Sequence, residues 1–254
     1  MTDKGDYAGQ VVWIVGASSG IGAALARELG ARGAVLALSA RRKDELEKLR
    51  AEVGPQHKVF VLDLTDTDTT LRTAQAVRAT FGRIDRVVFL AAAYVPMKMD
   101  ALDLAVTKAI VDINLTAAFN LVQAVLRVLK PQATKGQIAL CGSVAGFIGL
   151  PGGQPYSATK AAITNLAESL HAEFRDVIDI KLISPGFVRT PLTDKNNFDM
   201  PMIIEPEQAA KEIADGLLSR RFEIHFPKRF TTLLKVLQVL PYSLSLRLTH
   251  RMKT

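Results

Sequence analysis

The chain has little of what would staple it covalently or hold a metal: one cysteine, Cys141, in 254 residues. A lone thiol excludes an internal disulfide and fits a reducing compartment, so a cytoplasmic location is expected. With neither a second thiol nor a matching histidine pattern, Cys141 reads as buried strand packing and not as a nucleophile. The four histidines lack metal-ligand spacing, which predicts no metal site and puts them at the surface or in the tail. No uninterrupted apolar run approaches the ~18 residues of a bilayer span. No apolar stretch follows a basic start, so no secretory signal is expected.

A basic nucleic-acid face is also missing. The net charge of +7 arises at one end: from Arg220 to Thr254 stand eight Lys and Arg against Glu223 alone. The rest is balanced, so the basic excess describes a tail and not a domain, which argues against nucleic acid as a partner. What is present is ordinary globular composition, 48% hydrophobic and 22% charged, which argues against disorder.

Apolar runs alternate with amphipathic stretches almost from the start. Strand-like runs stand at Val11–Val15, Ala34–Leu38, Lys58–Leu62, Arg86–Leu90, Gln137–Leu140, Ile178–Ile183 and Phe222–Phe226. Helix-length segments lie between them near 21–32, 42–53, 66–80, 100–129, 156–175 and 206–219. This β-α repetition predicts an α/β fold, a parallel sheet with helices on both faces. The strands show little polar alternation, as strands buried on both faces need none.

The first strand runs into Gly16-Ala-Ser18-Ser19-Gly20-Ile21-Gly22 and then a helical segment. Glycines at such a turn let the backbone approach a pyrophosphate, and the helix N-terminus offers it free N–H groups, so Ser18, Ser19 and Ile21 join the glycines as candidate cofactor contacts. Tight turns also use glycine for steric reasons alone. The end of the second strand selects the cofactor. Where an acid would bind an adenine ribose 2′-hydroxyl stand Ser39 and Ala40, then Arg41 and Arg42. A guanidinium can pair with a 2′-phosphate, so NADP(H) is favoured over NAD(H), although an Arg pair can also simply open a solvated helix face. Asp63 and Leu64 close the third strand and could meet the adenine; Asp63 reads equally as a helix cap.

Tyr156-Ser-Ala-Thr-Lys160 opens a helix, and i,i+4 spacing puts phenol and ammonium on one face. A free tyrosine titrates near ~10, and a nearby cation favours its phenolate. Asn114 is a poor helix former inside a long helical stretch, which predicts a local distortion there.

Taken together, Gly16-x3-Gly20-x-Gly22, Asp63, Asn114 in Ile-Asn-Leu, Ser143, Tyr156-x3-Lys160, and Pro185-Gly186 with Thr190 resemble the single-domain branch of the short-chain dehydrogenase/reductase superfamily. The resemblance implies a Rossmann-like doubly wound sheet over residues 1–227, with residues 228–254 as a basic amphipathic extension. It implies a small carbonyl or alcohol substrate. Tyr156 would act as acid/base on the substrate oxygen and Ser143 would hydrogen-bond that oxygen. Lys160 would lower the tyrosine pKa and hold the nicotinamide ribose, and Asn114 would bind a water of a proton relay. Cofactor contacts would extend to Ala91, Pro185, Gly186, Val188 and Thr190, and a homodimer or homotetramer is implied. Val15 stands where the family has Thr, and Phe89–Ala92 where it has Asn-Asn-Ala-Gly, so a polar bond is expected to be exchanged for apolar contact.

After Thr190, the stretch Pro191–Glu205 stands where the resemblance implies a substrate lid, and Phe198, Met200, Met202, Ile203 and Ile204 suggest a moderately apolar substrate, as do Val144, Phe147, Ile148 and Leu150; packing of the loop against the last helices is the other reading. In the tail, Phe230, Leu233, Leu234, Leu237 and Leu240 form a helical stripe, with Thr231, Lys235 and Gln238 opposite. Beyond Pro241, Leu244, Leu246 and Leu248 leave helix and strand both open. Basic flanks beside apolar stripes permit peripheral membrane contact; packing on the domain or on a partner subunit is the other reading. A non-catalytic NADP-binding sensor or scaffold is the competing function, disfavoured because Tyr156 and Lys160 are both kept. An epimerase or dehydratase ranks lower.

Overall fold

β1 (Val11–Val15) is apolar and buried at all five positions, as a strand covered on both faces must be. Its side chains alternate between two apolar clusters. Val12 and Ile14 join residues of α1 (Gly20–Ala31), α2 (Lys43–Val53) and α7 (Pro206–Leu218). Trp13 and Val15 join those of α3 (Thr67–Phe81), α5 (Ala117–Leu129) and α6 (Tyr156–Phe174). The other strands are β2 (Val35–Ala40), β3 (Lys58–Val61), β4 (Arg86–Phe89), β5 (Gly136–Cys141), β6 (Ile178–Pro185) and β7 (Glu223–Phe226). They form one seven-stranded parallel sheet in the order β3-β2-β1-β4-β5-β6-β7. The order reverses between β1 and β4, which opens a crevice at the carboxyl edge where such sheets take ligands. The computed structural model describes residues 6–250; Arg251 and Lys253 of the basic tail lie outside the described residues.

The expected α/β architecture is present, with several local corrections. The segment 100–129 is not one helix. A 3₁₀ turn (Met99–Ala101) precedes α4 (Leu104–Val111), which Asp103 caps by accepting from the Ala105 and Val106 amides. A π turn (Asp112–Thr116) then carries the chain into α5. The extra residue in that turn answers the distortion expected at Asn114. The stretch Leu104–Leu129 is long and apolar enough, by length and mean composition, to cross a membrane. Here Lys108, Asp112, Asn114 and Arg127 interrupt it, α5 lies against α3, and α4 and the π turn lie against α6.

His57 is not a surface residue. It is fully buried, its Nδ1 accepts from the Leu36 amide at 3.0 Å, and Nε2 is 3.1 Å from the Val53 carbonyl. β2 runs two residues beyond the expected end, to Ala40, because Ser39 is satisfied inside the sheet by the Trp13 indole N–H at 2.9 Å.

The tail forms α8 (Lys228–Val239) and α9 (Tyr242–His250), so the segment after Pro241 is helical. The buried face of α8 differs from the expected stripe. Phe230 and Leu234 are buried, but Leu233 faces outward and Thr231 faces inward. The Thr231 hydroxyl is paired with His225 Nδ1 at 2.6 Å and with the Pro227 carbonyl, which makes its burial affordable in polar terms. Lys235 is half-buried against Glu223.

Candidate functional site

The first half of the site is a turn that only glycine can make. Gly16 has φ +97°, and a Cβ there would stand 2.5 Å from the Ala91 amide nitrogen. A Cβ on Gly22 would stand 2.1 Å from the Gly16 carbonyl oxygen. Neither neighbour can yield, because both are backbone. The turn is tethered to β2 by the Gly16 and Ala17 amides, which donate to the Ser39 carbonyl at 2.8 and 3.1 Å. The helix that follows, α1, has no side-chain cap from Ser19 and no acid in its first turn, so its N-terminal field faces the crevice unopposed. Arg42 Nη2 donates to the Ser18 and Ser19 hydroxyls at 3.0 and 2.9 Å, which folds one guanidinium over the turn. Arg41 lies beside it, exposed.

Asp63 does not cap the following helix; Asp66 does, accepting from the Thr69 amide. Instead Asp63 accepts from the Thr65 amide and hydroxyl, and those bonds hold its carboxyl below the usual carboxylate range.

The second half is built on α6 and the turn after β5. Ser143 caps a short 3₁₀ turn (Val144–Gly146), its Oγ accepting from the Ala145 amide at 3.1 Å. Ser157 Oγ donates to the Ala145 carbonyl at 2.5 Å, which locks that turn to the first turn of α6. Tyr156 and Lys160 therefore have a fixed relation to Ser143. The Lys160 ammonium is buried, donates to the Cys141 carbonyl at 2.7 Å, and lies 5.5 Å from the centre of the Tyr156 ring. Burial pushes the lysine pKa down. It pushes the Tyr156 phenol up, with the Ser143 side chain acting the other way. The Lys160 ammonium is directed to the Cys141 carbonyl, and on the phenol the raising effect of burial exceeds the lowering effect of Ser143.

Asn114 is fully buried in the π turn. Its Oδ1 accepts from the Ala93 amide at 2.6 Å, and Nδ2 donates to the Ala93 carbonyl at 2.9 Å and to Thr159 Oγ1 at 3.1 Å. The side chain thus fastens the segment after β4 to α6. Val15, Phe89 and Ala91 share one apolar cluster, and Val15 is in register with Phe89. Apolar packing occupies the place where the family pattern would put a polar pair.

A cleft of about 440 Å³ joins the two halves. Its lining contains the expected Gly16, Ser18, Ser19, Gly20, Ile21, Gly22, Arg41, Arg42, Asp63, Leu64, Ala91, Ser143, Tyr156, Lys160, Pro185, Gly186, Val188 and Thr190. Asn114 stands behind it. Thr190 reaches the glycine turn: a Cβ on Gly20 would meet its Cγ2 at 3.0 Å.

Tyr94 was not anticipated. Its ring meets Tyr156 edge-on at 5.2 Å, and its hydroxyl donates to Asn196 Oδ1 at 2.9 Å. Lys195 Nζ donates to the Tyr94 carbonyl at 2.8 Å. These bonds tie the stretch after Thr190 across the mouth. The available signal was position alone, an aromatic just past the carboxyl end of a strand beside the switch point. Of the residues expected to face substrate, Val144 and Phe147 instead pack with Phe230 and Leu234 of α8, and Phe198 stacks edge-on with Phe187 at 5.9 Å.

A family model described as short chain dehydrogenase matches residues 10–201. The chain is 34% identical over 232 residues to an uncharacterized oxidoreductase of Myxococcus xanthus, covering 90% of this chain and 91% of that one. It is 35% identical over 201 residues to an uncharacterized oxidoreductase of Mycobacterium tuberculosis, covering 76% and 79%. It is 34% identical over 195 residues to the 11-beta-hydroxysteroid dehydrogenase 1A of Arabidopsis thaliana, covering 75% of this chain and 55% of that one.

Proposed function

The chain belongs to the short-chain dehydrogenase family, and on that premise we propose that it is an NADP(H)-dependent oxidoreductase acting on a carbonyl or alcohol carbon of a small, moderately apolar substrate. The observation that carries this reading is the convergence of Ser143, Tyr156 and Lys160 on the cleft that also holds the glycine turn and Arg41–Arg42.

The residues fit a dinucleotide. Gly16 and Gly22 leave room for no side chain, so the backbone is bare where a pyrophosphate would lie. No acid opposes it in the first turn of α1. Arg41 and Arg42 stand where a 2′-phosphate would need cations, which supports NADP(H) over NAD(H). A nicotinamide bound along this cleft supplies hydride chemistry at the substrate carbon.

The protein's own part is to position the substrate oxygen and move one proton. With its pKa raised by burial, Tyr156 holds its proton at neutral pH and is available as the acid for carbonyl reduction. Ser143 already accepts from the Ala145 amide, so its one hydroxyl hydrogen faces the phenol and can turn from it to the substrate oxygen. Lys160 uses one donor on Cys141 and has two left for ribose hydroxyls. Tyr94 closes one side of the phenol against water.

The same reading takes the protein as a cytoplasmic homodimer or homotetramer, supported by the exposed apolar Leu104 and Phe119 on α4 and α5. Absorbance at the reduced-nicotinamide band, followed across ketones, aldehydes, 3-oxoacyl thioesters and quinones, tests the function. NADPH should be consumed with at least one class and NADH much more slowly. Equal use of both cofactors removes the NADP assignment, and no consumption with any class removes the reductase reading.

A further inference from the structure

Helix α9 is turned the wrong way for a helix that serves only its own domain. Two of its hydroxyl residues, Ser245 and Thr249, are buried, while Leu244, Leu246 and Leu248 are 40–54% exposed. On α8, Leu233, Val236 and Val239 point outward, and Val239 and Tyr242 are each 80% exposed. Among the described residues, seven of the sixteen exposed large apolar side chains thus fall within α8 and α9. An apolar surface this concentrated marks an interaction face.

The charge carried by the two helices has one sign. No Asp or Glu occurs from Lys228 onward. Lys228 and Arg229 are exposed at the head of α8. Arg247 shares a shallow groove with Tyr242 and Leu246. Lys235 is not counted, being paired with Glu223.

The face is also placed at the substrate end. β7 ends at Phe226 on the carboxyl edge of the sheet, and α8 leaves directly from it. Phe230 and Leu234 pack on Val144 and Phe147, one and four residues past Ser143.

We propose that α8 and α9 form a docking surface for an anionic phospholipid bilayer. The outward Leu233, Val236 and Val239 of α8 enter the acyl boundary, and Lys228, Arg229 and Arg247 meet headgroup phosphates. A second copy of the chain suits this face less well. In a two-fold contact the same patch meets itself, which would bring these basic residues together with no acid to separate them. A bilayer supplies both the apolar layer and the opposite charge. If the cleft is the reductase site argued above, docking holds its mouth near the lipid, where an apolar carbonyl substrate would partition.

Flotation of the full chain with vesicles of phosphatidylcholine plus phosphatidylglycerol, and with phosphatidylcholine alone, tests the proposal without reading turnover. It therefore fails or stands separately from the reductase assignment. Wild type should float with the anionic vesicles and be released by high salt. A Leu233→Ser, Val236→Ser, Val239→Ser triple variant should lose roughly tenfold or more of that binding, as should Lys228→Glu, Arg229→Glu, Arg247→Glu. The altered side chains are exposed, and unchanged NADPH binding verifies that each variant is folded. No flotation of wild type, or equal flotation of wild type and both variants, overturns the proposal. So does a serine variant that converts a dimer to a monomer while wild type ignores vesicles, which would make this a contact between copies.

Discussion

Replacing Asn114 with alanine removes three hydrogen bonds from one buried point: two to the Ala93 backbone, at 2.6 and 2.9 Å, and one to Thr159 Oγ1 at 3.1 Å. Thr159 keeps a bond, because its hydroxyl also donates to the Tyr156 carbonyl at 2.7 Å. The Ala93 amide and carbonyl lose their side-chain partner. A buried polar group left unpaired costs ~1–3 kcal/mol, and Ala93 is half-buried, so the pair costs about 2–3 kcal/mol. Alanine's better helix propensity returns at most about 0.7 kcal/mol. For a domain of this size each kcal/mol moves Tm by ~2–4 °C, so Asn114→Ala should melt roughly 3–12 °C below wild type in a circular-dichroism scan. Asn120→Ala, six residues further along, is the control. It removes a single bond, to the Leu64 carbonyl at 3.1 Å, and should shift Tm by less than half as much. An Asn114→Ala melt within ~1 °C of wild type would show that the clamp between Ala93 and α6 bears no load, against the reasoning from unpaired buried groups.

Three further outcomes follow from the same geometry. Gly22→Ala places a methyl 2.1 Å from the Gly16 oxygen and should weaken NADPH binding by roughly tenfold or more in calorimetric titration; an unchanged Kd would contradict a turn-bound pyrophosphate. Arg41→Ala with Arg42→Ala should raise the KM for NADPH by about tenfold or more while leaving that for NADH nearly constant, since only the 2′-phosphate loses its charged partners; a parallel rise in both would remove them from cofactor selection. Burial lowers the His57 pKa, so the folded protein resists protonation that the unfolded chain accepts. Its contribution to stability is complete above about pH 6.5 and is lost as pH falls toward the lower folded value. Urea midpoints should therefore drop more for wild type than for His57→Asn between about pH 7.5 and about pH 5.5, and equal drops would count against a neutral buried imidazole.

The glycine turn, the seven strands and the Tyr156–Lys160 pair were legible because each depends on neighbours in the chain: a backbone needing positive φ, a run of apolar residues, a helical i,i+4 spacing. The distortion at Asn114 was legible for the same reason, since asparagine disfavours a helix interior. What escaped depends on partners far away in sequence. His57 is satisfied inside by the Leu36 amide and the Val53 carbonyl, and Thr231 by His225 and the Pro227 carbonyl. Tyr94 joins the site through Asn196, 102 positions away. Helical periodicity ranked Leu233 with the core by hydrophobicity, but the tertiary surface turned it out. The orientation of Lys160 escaped for a similar reason. Spacing brings the ammonium near, but only the fold reveals that it is directed to the Cys141 carbonyl and that burial dominates.

The most direct measurement is single-turnover NADPH oxidation by Tyr156→Phe with a carbonyl compound that the wild type reduces, with NADPH affinity taken in parallel by fluorescence. Phenylalanine keeps the ring against Tyr94 and removes only the hydroxyl. Loss of a positioned general acid should slow turnover by about 10²–10⁴-fold while the Kd for NADPH stays within about twofold. Turnover at the wild-type rate would contradict the account, because the proton would then have to come from a group other than the phenol.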